Sequence, residues 1–112
     1  MPDCLFCRVI RKEIPSKAVF EDDSVYAFYD INPQAPTHIL IIPKRHIVGV
    51  EEMGKNDEGI VGRLIFQAKQ ITNSIGLKSY RLVFNQGPES GQSVFHLHLH
   101  LLGGRRMTWP PG

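Results

Sequence analysis

The chain has 112 residues, and its 13 basic and 11 acidic side chains give a formal net charge of +2 at pH 7. An apolar fraction of 42% and a charged fraction of 21% are typical of an ordinary globular protein, and the length suits one domain spanning residues 1–112. Because charges of both signs are mixed and the longest apolar run, 39–42, is short, the sequence argues against nucleic-acid and membrane partners. No signal peptide is predicted, so we expect a soluble, cytoplasmic protein.

The first part of the chain predicts a short helix, a β-hairpin and a central strand. Residues 5–12 are expected to form a short helix or turn, which Ile14-Pro15 closes. Two runs rich in aromatic and β-branched residues flank an Asp-Asp-Ser turn, which is typical of a hairpin. Two prolines in the following segment exclude a regular ladder, so a loop precedes the next strand. The three expected strands are 18–21, 25–30 and 38–42.

The second part predicts one long amphipathic helix and two further strands. Asn56 or Asp57 is a suitable N-cap for a helix that runs to about Ile75, and Gly76 is a suitable stop. Its apolar residues recur every three or four positions, so they form one stripe that packs either on the sheet or on another helix. Strands follow at 80–85 and 94–102, which favours an α+β fold with a mostly antiparallel sheet. The stripe consists of Val61, Leu64, Ala68, Ile71 and Ile75, and Ile60 and Ile65 widen it.

Three histidines alternate with leucines in the last predicted strand, as His96-Leu97-His98-Leu99-His100. Residues two apart on a strand share a face, so the leucines enter the core while the three imidazoles point out together. Neutral imidazole is a good nucleophile toward phosphorus, and a neighbouring ring could hold phosphate oxygens or protonate a leaving group. A zinc ion held by all three rings and a row of solvated histidines at a sheet edge are the alternatives.

This motif resembles the His-φ-His-φ-His-φ-φ signature of the histidine-triad (HIT) family of nucleotide hydrolases and transferases. In residues 30–38, 42–44, 91–93 and 103–112 the chain is also similar to the HINT branch, the purine nucleoside phosphoramidases. The resemblance implies an α+β HIT fold with a mostly antiparallel five-stranded sheet, one long helix and one short helix. It also implies a homodimer with a continuous sheet, in which the long helix and the central strands pair across a two-fold axis.

The resemblance implies hydrolysis of purine nucleoside phosphoramidates and acyl-adenylates through a covalent nucleotidyl-histidine, with release of AMP or GMP and no cofactor in catalysis. His98 matches the nucleophile that attacks the α-phosphorus and expels the amine or acid. His100 matches a phosphate contact, and His38 matches an upstream histidine that completes the proton and phosphate network. Ser93 matches a hydroxyl beside the phosphate or leaving group. Without the resemblance, His38 is better explained as a hydrogen-bonded polar residue that enters a buried strand.

For the purine nucleotide, the resemblance implies a ribose site, an apolar slot for the base and a phosphate-binding side. Asp30 would accept hydrogen bonds from both ribose hydroxyls, although its position before a proline-rich loop is almost as well explained by a turn. The phenylalanines are equally ordinary core residues without the resemblance. Trp109 would reach toward the partner's active site and influence the choice of leaving group. The implied nucleotide contacts are Asp30, Ile31, Asn85, Gly91, Phe6, Phe28, Leu40, Val9 and Trp109.

Cys4 and Cys7 form a Cys-x-x-Cys pair, a spacing that in a reducing compartment favours a metal or a redox pair over a structural disulfide. A redox pair is expected between a strand and a helix, and no strand is predicted before this motif. With His46 and His96, the pair resembles the structural zinc site of other HIT-superfamily members, including galactose-1-phosphate uridylyltransferases. Such a Cys₂His₂ site leaves no open position on the metal, so the implied zinc is structural. The alternative is two thiols and a surface His46.

Two other functions stay open beside the phosphoramidase. One is a dinucleoside polyphosphate hydrolase of the same superfamily, and the Trp-Pro-Pro-Gly ending, which is typical of the HINT branch, argues against it. The other is a nucleotide-binding regulatory module whose hydrolysis is incidental. The sequence contains no Walker loop and no G-x-G-x-x-G motif, so it gives no support to a kinase or a dehydrogenase.

Overall fold

A computed structural model describes residues 3–112, and the five strands within that range form one sheet. Every neighbouring pair is antiparallel, in the order β1-β2-β3-β5-β4. The predicted α+β class and five-stranded antiparallel sheet are therefore confirmed. The strands are β1 (Ala18–Glu21), β2 (Val25–Tyr29), β3 (Thr37–Pro43), β4 (Tyr80–Val83) and β5 (Leu99–Gly103).

Two α-helices accompany the sheet, α1 (Leu5–Ile10) and α2 (Glu58–Ile75). α2 ends at Gly76, which adopts a left-handed conformation with φ of 74°, and glycine takes this conformation without strain. The predicted stop is therefore confirmed. At the other end Asp57, one of the two predicted residues, occupies the N-cap position of α2. Its carboxylate makes no capping hydrogen bond to α2 and instead accepts from the Gly54 N–H at 2.7 Å, which closes the preceding 3₁₀ turn. No helix within residues 3–112 is long and apolar enough to cross a membrane.

Alternate residues of β3 enter two separate cores, one on each face of the sheet. Ile39 and Ile41 pack with the leucines of the histidine motif and with the buried side of α2. Leu40 and Ile42 pack on the opposite face against α1, where Phe6 and Val9 are buried. The leucine row therefore enters the core, as predicted, and the motif's histidines lie on the α1 side of the sheet.

The predicted stripe of α2 is right for its central residues and wrong for two others. Leu64, Ala68 and Ile71 are buried in the core. Ile65 is 45% exposed, because one residue along a helix turns the side chain by about 100° away from the face of Leu64. Ile75 is 46% exposed, because it lies in the last turn, beyond the final buried residues of the helix.

The predicted strand 94–102 starts too early, because its ladder begins only at Leu99, opposite Ile41. In this register the next two pairs would be Ile42 with His98 and Pro43 with Leu97, and the ladder does not continue to Pro43, which has no N–H to donate. The backbone N–H of Leu97 instead donates to the carbonyl of Ile47 at 2.6 Å. His96 and His98 thus precede the regular strand, and the alternation of their side chains with the leucines is nevertheless retained.

Candidate functional site

A cavity of about 230 Å³ lies between α1 and the sheet. Most of its wall is apolar, and one side carries His98, His100 and Ser93. The six predicted nucleoside contacts Asp30, Ile31, Phe6, Phe28, Leu40 and Val9 all line it. Sequence reasoning missed six further wall residues, which are Leu5, Ile14, Pro15, Ser16, Tyr29 and Val94.

The aromatic wall of the cavity touches the histidine motif directly. The ring of Phe6 meets the ring of His98 edge-on, with centroids 5.1 Å apart and an interplanar angle of 87°. It meets Phe28 in the same manner, at 5.5 Å and 81°. Because Phe6 belongs to α1, the short helix holds one wall of the cavity against the central histidine.

The hydrogen bonding of His98 leaves one ring nitrogen free toward the cavity. Its Nδ1 lies 2.7 Å from the backbone carbonyl oxygen of His96. A carbonyl oxygen only accepts, so Nδ1 carries the proton of the neutral ring and Nε2 keeps its lone pair. Burial lowers the pKa of His98 below its ordinary value, which keeps the ring neutral at pH 7.

A chain of hydrogen bonds fixes the orientation of His100. The backbone N–H of Gln34 donates to His38 Nδ1 at 3.0 Å, so the proton of neutral His38 is on Nε2. His38 Nε2 lies 2.9 Å from His100 Nδ1 and donates to it, which leaves the proton of His100 on its own Nε2. That Nε2 is buried and has no hydrogen-bond partner among residues 3–112. Burial lowers the pKa of His100 to about 4, so the ring is neutral at pH 7 and its Nε2–H can donate a hydrogen bond to a ligand.

The carboxylate of Asp30 is held at the end of this chain. Its Oδ1 accepts from the backbone N–H of Asn32 at 2.8 Å, and its Oδ2 lies 3.4 Å from His38 Nε2. With His38 and His100 it forms a cluster whose donor atoms lie within 4.8 Å of one another. The cluster does not suit a metal ion, because His38 Nε2 bears a proton and therefore has no lone pair to offer.

A glycine-rich loop borders the histidines and carries Ser93. Gly91 has a φ of 99°, and a Cβ built there would lie 3.6 Å from Asn85 Nδ2, so these two residues lie side by side. Neither Asn85 nor Gly91 lines the cavity of the described chain. Trp109 is 81% exposed and does not line it either.

The buried side chain of Gln92 fixes this loop, and sequence reasoning missed it. Its Oε1 accepts from the N–H of Gly87 at 2.9 Å, and its Nε2 donates to the carbonyls of Val48 at 2.9 Å and Val94 at 3.3 Å. Residues 91–93 carry part of the resemblance to the HINT branch, but the sequence assigns Gln92 no role. Its hydrogen bonds join segments far apart in the chain, so the sequence does not reveal them.

The structure brings together the four predicted zinc ligands Cys4, Cys7, His46 and His96, with all donor atoms within 4.8 Å of one another. His96 Nδ1 lies 3.5 Å from Cys4 Sγ, 3.6 Å from Cys7 Sγ and 3.2 Å from His46 Nδ1. Zinc bonds of about 2.0–2.3 Å in a tetrahedron place neighbouring donors about 3.3–3.8 Å apart, so the spacing fits.

The protonation of His96 also suits a metal. Its Nε2 lies 2.8 Å from the carbonyl oxygen of Pro43, so Nε2 carries the proton and the lone pair of Nδ1 faces the sulfur atoms. Burial lowers the pKa of His96 to about 4, which keeps the ring available as a ligand. The same burial raises the pKa of the Cys7 thiol in the absence of a cation. The donor set therefore fits zinc.

Comparison with known proteins places these features in a family context. The profile of the HIT domain matches residues 11–107. A 14 kDa zinc-binding protein of Zea mays is 52% identical over 111 residues, which cover 96% of this chain and 87% of that protein. Adenylylsulfatase HINT1 of Arabidopsis thaliana is 50% identical and covers 96% of this chain and 76% of its own length. The crystal structure of a HIT family hydrolase from Legionella pneumophila Philadelphia 1 matches with a TM-score of 0.96 and 51% identity, over 98% of this chain and 100% of that one.

Proposed function

Because the chain belongs to the HIT domain family, we propose that it hydrolyses purine nucleoside phosphoramidates and acyl-adenylates through a covalent intermediate on His98. The observation that supports this most strongly is that two neighbouring neutral rings, His98 and His100, carry their protons on opposite nitrogens. The hydrogen bond from His98 Nδ1 to a carbonyl leaves Nε2 as a nucleophile, and His100 offers an unpartnered N–H beside it. Both rings line the same apolar cavity.

In the first step His98 Nε2 attacks the α-phosphorus, and the bond from phosphorus to the amine or acid breaks. The His98 ring then carries a positive charge, which the carbonyl of His96 stabilises through the Nδ1–H hydrogen bond. His100 donates its Nε2–H to a phosphate oxygen, and the Ser93 hydroxyl hydrogen-bonds to the departing group. Water next attacks the same phosphorus, the nucleotide leaves as AMP or GMP, and Nε2 regains its lone pair.

The nucleoside half of the substrate occupies the apolar part of the cavity. The base lies in the slot formed by Phe6, Phe28, Leu40 and Val9, and Ile31, which is 97% exposed, covers the mouth. Asp30 accepts hydrogen bonds from the ribose hydroxyls, and its contact with the Asn32 N–H holds the carboxylate in place. Asn85 and Gly91 support the loop on the phosphate side.

Zinc held by Cys4, Cys7, His46 and His96 is structural in this proposal. Four protein ligands saturate the ion, so it cross-links the chain and does not activate water. The cross-link acts on catalysis indirectly, because His96 presents its carbonyl to His98 and α1 presents Phe6 to the same ring. The zinc ligands thus orient the nucleophile through the carbonyl of His96 and through α1.

Two copies of the chain form a homodimer in this proposal. β4 is an edge strand of the sheet, so a second β4 could continue the sheet across a two-fold axis. Tyr80 on that strand is 38% exposed, and exposed Ile65 and Phe66 lie on α2. The partner subunit's Trp109 would then approach the active site, and in the described chain Trp109 is 81% exposed and does not line the cavity that holds His98.

A substrate comparison tests the proposed reaction. Purified protein is incubated with an adenosine phosphoramidate and, separately, with a diadenosine polyphosphate, and AMP is measured. We expect rapid AMP release from the first substrate only, abolished by His98→Ala. Preference for the polyphosphate would favour the other hydrolase class, and failure on both substrates with retained AMP binding would favour a nucleotide-binding module.

A further inference from the structure

A second cavity, of about 450 Å³, adjoins the first and has no role in the mechanism above. We propose that it is the binding subsite for the leaving group, and that it selects amines with an apolar side chain. This inference rests on the proposed function, since it assigns the part of the substrate that His98 displaces. The cavity is lined by Asp3, Cys4, Leu5, His46, Val48, Ser93, Val94 and Phe95.

The two cavities share part of their walls. Leu5, Ser93 and Val94 line both of them, whereas His98 and His100 line only the first. A substrate with its nucleoside in the first cavity and its phosphorus beside His98 reaches the boundary at Ser93. The group on the far side of the phosphorus then enters the second cavity, which is open to solvent and gives the released amine or acid a path out.

The lining of the second cavity determines which leaving groups it favours. Leu5, Val48 and Phe95 expose 45%, 36% and 47% of their surfaces, so three large apolar side chains lie around one concavity without a partner. An alkyl or aromatic group that covers them removes apolar surface from water. Asp3 adds a carboxylate, which disfavours an anion such as sulfate. The subsite therefore fits an apolar amine better than a small inorganic leaving group.

Hydrogen bonds hold the walls of this subsite in place before any ligand arrives. Gln92 donates from one amide nitrogen to the carbonyls of Val48 and Val94, both of which line the cavity. The N–H of Leu97 donates to the carbonyl of the adjacent Ile47 at 2.6 Å. Because these segments are already ordered, little conformational entropy is lost when a leaving group binds.

The chemistry of the displaced group is unchanged by the subsite. For a phosphoramidate, the bond from His98 Nε2 to phosphorus forms while the P–N bond breaks, and its electron pair goes to the departing nitrogen. The Ser93 hydroxyl passes a solvent proton to that nitrogen, which leaves as the free amine, and the water that later hydrolyses the nucleotidyl-histidine returns a proton to solvent. The subsite binds the carbon chain of the amine during this exchange and so changes specificity rather than the reaction.

Two substrates with the same P–N bond test the subsite. Adenosine 5′-phosphoramidates of phenethylamine and of methylamine are compared by kcat/KM in the wild-type protein. We expect the phenethyl substrate to be favoured by about 10- to 100-fold, the range by which a hydrophobic pocket discriminates. Phe95→Ala should reduce that preference about 10-fold. Val48→Trp, which fills the cavity, should abolish it while hydrolysis of the methyl substrate continues.

Val50→Ala is the matched control, because Val50 is 42% exposed, close to the 47% of Phe95, but lines neither of the two cavities. It should leave the preference unchanged. Binding of both substrates to His98→Ala, measured by calorimetry, should show the same preference without turnover. Hydrolysis of the methyl substrate with no phenethyl preference, or a preference that Val48→Trp leaves intact, would overturn the subsite and spare the proposed function. Failure of the wild type on both substrates would overturn both.

Discussion

His96 and His98 lie two residues apart in one motif, yet their rings expose opposite nitrogens. His96 donates from Nε2 to the carbonyl of Pro43, so its Nδ1 faces Cys4 and Cys7. His98 donates from Nδ1 to the carbonyl of His96, so its Nε2 faces the cavity. The same residue type thus faces the Cys/His cluster at one position and the cavity two residues later, and the proposed function assigns the first ring to a metal and the second to nucleophilic attack. The backbone carbonyl that each ring meets makes the difference.

The largest expected effect is on AMP release, and it distinguishes a substitution of His98 from a substitution in the Cys/His cluster. His98→Ala should lower AMP release by about 10⁴-fold or more, because no other group forms the covalent intermediate, and it should leave the zinc content near one per chain. Cys4→Ser should do the opposite, with zinc largely lost and AMP release lowered only about 10-fold. Metal analysis and steady-state kinetics on the same samples provide the measurement. Equal kinetic losses in the two variants would contradict the division.

A smaller effect is expected from the hydrogen-bond chain behind His100. In His38→Phe the ring of His100 loses the donor that directs its proton to Nε2. We expect kcat to fall about 10-fold with little change in KM, while His38→Gln, which retains a donor, recovers part of the rate. Stopped-flow measurement of the first turnover is the direct test. A loss confined to KM would show that His38 acts on nucleotide binding instead.

The smallest effect concerns acid stability. Burial lowers the pKa of His100 from 6.5 to about 4, so below pH 6.5 the unfolded chain binds a proton that the folded chain does not. The free energy of unfolding should therefore have its highest value above pH 6.5 and decrease as the pH drops toward 4. His100 should account for about 3 kcal/mol of that decrease. Urea titrations between pH 7 and pH 4 measure the slope. His100→Gln should make it shallower, and an unchanged slope would show that His100 is not the source.

Local signals in the sequence predict much of the fold. β1 has its predicted bounds because Asp22 closes the following turn, accepting from the N–H groups of Ser24 and Val25 at 2.8 Å each. Gly76 ends α2 for an equally local reason. The start of β5 was predicted wrongly, because it depends on Pro43, a residue on another strand with no N–H for the ladder.

The candidate site likewise has features that the sequence predicts and features that it does not. The resemblance to the HIT family predicts the roles of His98 and His100 and the set Cys4, Cys7, His46 and His96, and the structure brings the donor atoms of that set together. The sequence does not predict the role of Gln92 or the second cavity, because both depend on contacts between segments more than forty residues apart, such as Gln92 with Val48. Nor does it predict which nitrogen His96 and His98 present, because their acceptors are the backbone carbonyls of Pro43 and His96.

The central claim is that His98 Nε2 is the nucleophile. An acid quench within the first turnover of an adenosine phosphoramidate, followed by proteolysis and mass spectrometry, locates the trapped nucleotide. Heteronuclear NMR of the same adduct identifies the bonded nitrogen. The account predicts one AMP on His98, joined through Nε2. A nucleotide on His96 or His100, or a bond through Nδ1 of His98, would contradict it.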